Sequence, residues 1–355
     1  MSLTPRQRAL RALSLKKPDR VPKWMSFTPP MLDGFKEKTG AEDPASYFEM
    51  EFREVTPDST KKETDFRKYF ASYPKNLDID EWGVGYVKGS LYHFKKRVPP
   101  MEKFTKTEQV EDYPFPDLDA PYRYKRLKEK VRRIHGKGLA VMGWGSPSIF
   151  EQSWYLRGMD KLFFDFIENP RLAEALLDRI THIVTESNVH LAQAEVDVIV
   201  LGDDIGMQNQ MLMSPDMWRR WLKPRLSKVI HRVKQARPST YIYYHSDGVI
   251  DPIIPDLIEV GVQILNPIQP ECMNPYQLKK KHGKNLAFWG CVGTQTTFPF
   301  GTPKEVKSTV REIIHKVGRG GGLVIAPTHV IEPDVPWENI LAFFEAVEEY
   351  GKYPG

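Results

Sequence analysis

The sequence has little cysteine: Cys272 and Cys291 are the only two in 355 residues. Two thiols exclude a disulfide framework and any zinc site made only of cysteines. The chain also lacks an apolar run of about 18 or more residues, so we expect no membrane-spanning helix. Internal repeats and low-complexity tracts are absent, and the 41% hydrophobic content is ordinary for a globular protein with a large core.

Charge of one sign is not concentrated in any segment. The chain has 51 Lys and Arg against 46 Asp and Glu, and the densest basic run is KKKHGK at 279–284. This scatter argues against a stripe that binds nucleic acid. The N-terminal stretch MSLTPRQRALRALSLKKPDR is basic and amphipathic, without the continuous apolar segment of a signal peptide. We therefore expect a surface helix there and a cytoplasmic protein.

Short apolar runs alternate with amphipathic stretches from about residue 137 onward. Six runs show no polar alternation, which is typical of parallel strands covered on both faces. These runs are residues 139–144, 196–204, 240–247, 262–267, 286–291 and 322–329. The helices between them have recognisable starts, with Ser214 before Pro215 in one and Thr302 in capping-box spacing with Glu305 in another.

Two further segments complete the set of predicted strands. Residues 20–27 (RVPKWMSF) are one candidate, and residues 78–87 (DIDEWGVGYV) are a weaker one, with glycines that predict a bend or hairpin. Strands that alternate with helices in this number predict an α/β fold, a (β/α)8 TIM barrel with a helical N-terminal extension. We expect a single domain over residues 1–355. The segment 40–135 is rich in proline and charge, and we predict that it is an insertion over the barrel rim.

The ends of the predicted strands are unusually polar. In barrels of this kind, the active site forms where strands end and loops begin. His245 and Asp247 end one strand two residues apart, so both side chains point to the same side. His329 ends the last strand on the opposite wall, and two imidazoles with a carboxylate are a ligand set for a catalytic zinc. Glu151, after an earlier strand, is a candidate fourth ligand or general acid.

Other interpretations of these residues stay open at this point. A His–Asp pair at a strand end also holds loops by hydrogen bonds, and one member of the pair Asp203 and Asp204 is expected to cap a turn. Trp144 and Tyr243 belong to types that are more often core residues than substrate platforms. Cys291 has no histidine as a sequence neighbour, which favours a buried structural thiol over a nucleophile.

Several motifs together resemble the uroporphyrinogen decarboxylase superfamily. They are KKPDRVPKW, LGDDIGMQNQMLMSPDMWRRWLKP, YHSDG, GTQTTFPFGTPKEV and GGGLVIAPTHVIEPDVPWENI. They occur in the family's order and cover nearly the whole chain. The resemblance implies a single (β/α)8 barrel, which agrees with the fold predicted from the strands alone.

Departures from the family pattern select a branch of this superfamily. The decarboxylases carry an arginine-rich motif after the RVPxW strand that clamps substrate carboxylates, whereas this chain has MSFTPPMLDGF there, without arginine. The corrinoid-dependent methyltransferases hold zinc with a His-x-Cys pair and a later cysteine. By position these residues correspond to His245, Asp247 and His329. The resemblance therefore implies a zinc site in which nitrogen and oxygen replace the thiolates.

Ligands of this harder kind leave zinc a stronger Lewis acid, which suits a substrate oxygen. The resemblance then implies an O-demethylase methyltransferase that moves a methyl group from a methoxylated aromatic compound to cob(I)alamin. This cobalamin is carried by a partner corrinoid protein. Glu151 or Asp203 would supply a proton or orient the substrate. The predicted substrate-binding residues are Trp144, Gln208, Tyr243 and Asn266.

Three rival functions remain open from the sequence. They are methyl transfer from a corrinoid to a thiol such as coenzyme M, decarboxylation of a small carboxylic acid, and non-catalytic binding by a decayed barrel. A zinc–thiol bond would favour transfer to a thiol, and carbon dioxide release without metal would favour decarboxylation. The lack of stoichiometric zinc would favour the non-catalytic barrel. Dimers are common among barrel enzymes, so a homodimer is one open state of assembly.

Overall fold

The computed structural model describes residues 3–70, 77–87, 96–145 and 148–353. The strands are β1 (Phe52–Val55), β2 (Asp78–Ile79), β3 (Gly85–Val87), β4 (Lys96–Val98), β5 (Ala140–Gly143), β6 (Val198–Gly202), β7 (Tyr241–His245), β8 (Ile264–Asn266), β9 (Ala287–Val292) and β10 (Leu323–Pro327). The α-helices are α1 (Pro5–Leu13), α2 (Pro29–Thr39), α3 (Pro44–Tyr47), α4 (Thr107–Glu111), α5 (Leu127–Gly136), α6 (Ile149–Arg157), α7 (Met159–Glu168), α8 (Pro170–Gln193), α9 (Pro215–Trp221), α10 (Lys223–Ala236), α11 (Ile254–Glu259), α12 (Pro275–His282), α13 (Thr297–Phe300), α14 (Pro303–Lys316) and α15 (Trp337–Tyr350). Short 3-10 turns occupy Arg67–Phe70, Pro121–Tyr124 and Asp251–Ile253.

A parallel sheet of seven strands, in the order β1-β5-β6-β7-β8-β9-β10, forms the wall of a barrel. The N-terminal segment closes the gap between its two edges. The amide of Trp24 donates to the carbonyl oxygen of Ile325 in β10 at 3.0 Å, and the amide of Lys23 donates to the carboxylate of Glu51, just before β1, at 2.9 Å. The Trp24 ring also meets Phe52 of β1, with centroids 6.4 Å apart. The predicted (β/α)8 fold is confirmed.

The two weakest strand predictions had different outcomes. Residues 20–27 form isolated bridges and no continuous strand: Lys23 pairs in parallel with Ile325 of β10, and Phe27 with Ile331 beyond it. Pro22 has no amide to donate to a ladder. The prediction of a barrel strand at 78–87 is wrong, since these residues contribute to a small antiparallel sheet of order β2-β3-β4.

The missing barrel strand is β1, which lies inside the segment 40–135 that was predicted to be rim. Its sequence FREV does not form an apolar run, because Arg53 and Glu54 occupy the middle and only Phe52 and Val55 are buried. The insertion is therefore shorter than predicted. Its described residues are 56–70, 77–87 and 96–126, which lie between the carboxyl end of β1 and the start of α5.

The outer helices begin as their sequences predict. Ser214 Oγ accepts from the amide of Met217 at 3.1 Å at the start of α9, and Thr302 and Glu305 form a reciprocal capping box at the start of α14. Within the described ranges, no helix combines the length and apolar character that crossing a membrane requires.

The inside of the barrel is filled by alternate residues of the strands, which point to its axis. They are Phe52, Ala140, Met142, Val198, Val200, Tyr243, Ile264, Ala287, Trp289, Val324 and Ala326. Ala9 and Leu13 of α1 belong to the same core. Arg6 anchors this helix, because its Nη2 lies 2.8 Å from Asp197 Oδ1 and its amide donates to the carbonyl oxygen of Gly138 at 2.7 Å. The N-terminal extension thus closes the amino end of the barrel, and the carboxyl ends of the strands form the open end.

Candidate functional site

His245 ends β7 at the open end, and Asn266 at the end of β8 sets the orientation of its ring. Asn266 Nδ2 donates to the carbonyl oxygen of Trp289 at 3.0 Å, which leaves Asn266 Oδ1 facing His245 Nδ1 at 2.6 Å. An amide oxygen only accepts, so in the neutral ring Nδ1 carries the proton and Nε2 the lone pair. Asn266, predicted to bind substrate, is seen to orient the imidazole in the way that the partner of a ligating histidine does.

Two carboxylates face Nε2 of His245. The distance from Nε2 to Asp204 Oδ1 is 3.5 Å, and the distance to Asp247 Oδ1 is 3.9 Å. Ligand atoms of the three residues lie within 4.8 Å of one another. These separations are too long for good hydrogen bonds, whereas tetrahedral ligands about 2.1 Å from a zinc ion lie about 3.4 Å apart. The spacing of this cluster therefore fits a shared cation.

The carboxylate of Asp247 adds a second argument for a cation. Its Oδ1 is buried and has no hydrogen-bond partner among the residues that the structure describes, while its amide donates to Asp204 Oδ1 at 2.8 Å. A buried carboxylate oxygen is costly unless a donor or a cation compensates it. Burial lowers the pKa of His245, but the charges of Asp247 and Asp204 outweigh burial and raise it. The cluster therefore favours positive charge.

Asp203, the predicted acid beside Asp204, is buried and has a different environment. Its Oδ1 accepts from the amides of Phe150 at 2.6 Å and Glu151 at 3.1 Å, so it caps the start of α6. Burial, and after it the charge of Glu151, raises the pKa of Asp203 well above its ordinary value. The capping role expected of one member of the acidic pair belongs to Asp203. Asp204 lines a cavity at the open end of the barrel.

Glu151 lies in the first turn of α6 and lines the same cavity. Its Oε1 accepts from the Tyr155 hydroxyl at 2.7 Å, and its Oε2 accepts from Ser148 Oγ at 2.8 Å. Glu151 is not a member of the Asp204–His245–Asp247 cluster. Two hydroxyl donors hold its carboxylate at the cavity wall, an arrangement that suits proton transfer or substrate orientation.

Two cavities meet at Trp144 and His245, which line both. The first, of about 230 Å³, contains Glu151 and the acidic pair and continues to apolar residues of α8 and α10. The second, which we call the axial cavity, has about 190 Å³ and lies over the inner core of the barrel. Since a cavity of about 150 Å³ accommodates benzene, the axial cavity has room for one substituted ring.

The wall of the axial cavity is aromatic and acidic. Its rings are those of Trp24, Trp144, Tyr243 and Trp289. Tyr243 meets Trp289 edge to face, with centroids 5.4 Å apart. Trp144 Nε1 donates to Glu54 Oε1 at 3.1 Å. Enclosure within the barrel mouth raises the pKa of Glu54, and the bond from Trp144 opposes this effect.

His329 and Gln208 complete the predicted set. His329 is exposed and lies outside the three-residue cluster, although it lines the axial cavity with His245 and a third cavity, of about 210 Å³, with Asp247. Its role as a ligand stays a prediction. Gln208 lies exposed at the rim. Its Nε2 donates to the Glu271 carbonyl oxygen at 3.3 Å and its Oε1 accepts from Gln295 Nε2 at 3.2 Å, so it joins the loops that follow β6, β8 and β9.

Alternation along the strands explains which residues meet, and it would have identified Asp204 from the sequence. Val200 of β6 points to the axis, so Asp204, four residues further, continues the inner face and Asp203 does not. Tyr243 of β7 places Asp247 inside in the same way. Glu54 was missed together with β1.

A family model described as uroporphyrinogen decarboxylase matches residues 83–350. A methylcobamide:CoM methyltransferase, MtaA, of Methanosarcina barkeri is 28% identical over 185 residues, which cover 52% of this chain and 51% of that protein, about half its length. The uroporphyrinogen decarboxylase of Rickettsia conorii is 24% identical over 265 residues, which cover 72% of this chain and 73% of that protein. The structure of a methyltransferase from Methanosarcina mazei has the same fold, with a TM-score of 0.71 at 20% identity over 98% of this chain and 99% of that chain.

Proposed function

The chain belongs to the uroporphyrinogen decarboxylase family, and we propose that it is a zinc-dependent O-demethylase methyltransferase. In this proposal a methoxylated aromatic compound gives its methyl group to the cob(I)alamin of a partner corrinoid protein. The relatives support an enzyme in the methyltransferase branch of the superfamily. Zinc, the methyl donor and the direction of transfer are what we add. The observation that carries the proposal is the cluster of Asp204, His245 and Asp247.

The donor set of this cluster fits zinc. Imidazole nitrogen and carboxylate oxygen are both zinc ligands, and a catalytic zinc has three protein ligands and a position open for substrate. Asp204, His245 and Asp247 would hold the ion, which would also provide the missing partner of Asp247 Oδ1. When bound, zinc supplies a Lewis acid that polarises a substrate oxygen.

The residues around the cluster would bind and orient the donor. The rings of Trp144, Tyr243 and Trp289 would pack against an aromatic substrate in the axial cavity and exclude water from it. The methyl acceptor would approach from the open end, because α1 closes the other end. As the methyl–oxygen bond breaks, its electron pair stays on the aryl oxygen, which takes up a proton from water as the product leaves, and the Glu151 carboxylate would orient that water.

Cysteine chemistry receives little support from the structure. Burial raises the pKa of the Cys291 thiol to about 12, and the cluster contains nitrogen and oxygen only. Nitrogen and oxygen ligands leave the metal harder than thiolates would, which favours a substrate oxygen over a substrate thiol as the group that the metal would activate.

The test is methyl transfer by the zinc-loaded protein. The protein is incubated with reduced corrinoid protein and a panel of methoxybenzenes, and methylcobalamin is followed by absorbance and the phenol by chromatography. We expect stoichiometric zinc, and loss of both zinc and transfer in His245→Ala. The matched control is His182→Ala, an exposed histidine of α8. Carbon dioxide release without metal, or methyl transfer to a thiol alone, would overturn the proposal.

A further inference from the structure

Carboxylates are the main charged groups at the open end of the barrel. The carboxylates in the walls of the first, axial and third cavities are Glu54, Glu151, Asp203, Asp204, Asp247, Glu332 and Asp334. The two histidines there are His245 and His329. Among the described residues that line these three cavities there is no lysine or arginine. An anionic ligand would therefore find no lysine or arginine side chain in these walls.

A metal ion at the cluster does not remove this imbalance. A divalent cation balances the charges of Asp204 and Asp247, and the Asp203 carboxylate is held by the backbone amides of Phe150 and Glu151. Glu54 in the axial cavity and Glu151 in the first cavity remain. Their hydrogen-bond donors are an indole and two hydroxyls, which carry no charge.

An arginine does lie beyond Trp144, in the adjoining surface cavity, but its charge is already paired. Arg123 is buried. Its Nη1 lies 3.2 Å from Glu81 Oε2, and its Nε donates to the carbonyl oxygen of Asp58 at 2.9 Å. This guanidinium holds the insertion together, so its charge is not available to a carboxylate in the axial cavity.

We propose that the methyl donor bears no anionic group, so that the site accepts uncharged methoxybenzenes and excludes methoxybenzoates. This inference names the substrate class of the site described above and rests on the proposed function. A substrate carboxylate that enters the axial cavity loses part of its hydration and meets the Glu54 carboxylate, with no lysine or arginine in the described lining to compensate it. One like charge a few ångströms away in a partly enclosed site costs roughly tenfold or more in binding. An uncharged ring gains the aromatic contacts without this cost.

Three donors of similar size and different charge test the inference. They are 4-methoxybenzamide, which is uncharged, 4-methoxybenzoate, an anion, and 4-methoxybenzylamine, a cation at neutral pH. We expect the kcat/KM of the benzoate to be at least about tenfold below that of the amide, and that of the amine to be no lower than that of the amide. Rejection by size would lower the amine and the benzoate together and would overturn the inference.

The outcomes separate the two proposals. If the benzoate is used as well as the amide, the charge rule is wrong and the methyltransferase stands. If neither these donors nor methoxybenzene itself transfers a methyl group, the proposed function fails and the charge rule fails with it.

A substitution at Glu54 shows whether this side chain enforces the rule. Glu54→Gln removes the charge and keeps an oxygen that accepts from Trp144 Nε1. We expect the preference for amide over benzoate to fall several-fold, through a lower KM for the benzoate. Glu174→Gln, at an exposed position of α8, is the matched control and is expected to keep the preference. Equal loss of activity toward all three donors in Glu54→Gln would indicate a structural role and contradict the inference.

Discussion

Replacing Asn266 by alanine tests whether the ring of His245 is held as a metal ligand. The change removes the oxygen that lies 2.6 Å from His245 Nδ1 and the amide that donates to the Trp289 carbonyl oxygen at 3.0 Å. Partners that orient ligating histidines are worth about 10–100-fold in metal affinity. That range corresponds to about 1.4–2.7 kcal/mol of binding free energy. We expect the Kd for zinc to rise by this factor, measured by competition with a chromophoric chelator.

The same substitution also changes stability, which must be measured separately. Two hydrogen bonds with a net worth of about 0.5–1.5 kcal/mol each predict that the free energy of unfolding falls by about 1–3 kcal/mol. Urea unfolding in EDTA measures this loss without the metal. Asn266→Asp keeps an oxygen facing His245 Nδ1, so we expect it to retain most of the zinc affinity. Wild-type affinity in a folded Asn266→Ala variant would refute the reasoning.

Asp204→Asn is expected to lose zinc on dialysis, whereas His329→Ala, outside the cluster, is expected to retain more; metal analysis compares them, and the reverse ranking would contradict the assignment. Burial raises the pKa of the Cys291 thiol to about 12. A maleimide is therefore expected to label only Cys272, which is partly exposed, until denaturant is added. Mass spectrometry counts the labels, and two in the native protein would show that Cys291 is accessible. Arg157→Met is expected to lower the free energy of unfolding by about 3–5 kcal/mol, because it leaves the buried Asp165 without the guanidinium 2.6 Å away; a loss below about 1 kcal/mol in urea unfolding would argue against this pair as a major contributor.

The barrel could be predicted where its strands are apolar on both faces, as in β9, in which all six residues are buried. β1 could not be found in this way. Arg53 turns outward to backbone carbonyls, and Glu54 turns inward to the cavity, so the polar middle of this strand reflects the site rather than a loop. A sequence search for apolar runs therefore misses β1, because this strand lines the axial cavity with Glu54 where the other strands place apolar core residues.

At the site, spacing alone predicted that His245 and Asp247 share one side of a strand, and the structure brings their side chains together. Asp204 joins them from the neighbouring strand. His329 is a different case, because Ala326 of β10 points inward and a residue three positions further falls on the opposite side of the alternation. The path of a loop beyond its strand depends on tertiary contacts, which no local pattern in the sequence records.

The helix that fills the amino end of the barrel is only nine residues long, yet it bears on the order of binding in the proposed reaction. Ala9 and Leu13 fill the amino end, so among the described residues the barrel is open at the carboxyl ends of its strands. Under the proposed function, the small donor would have to be inside before the corrinoid protein covers that entrance, and the demethylated product would leave only after the corrinoid protein has dissociated. Compulsory-order kinetics would then be a property of the closed floor as much as of the chemistry above it.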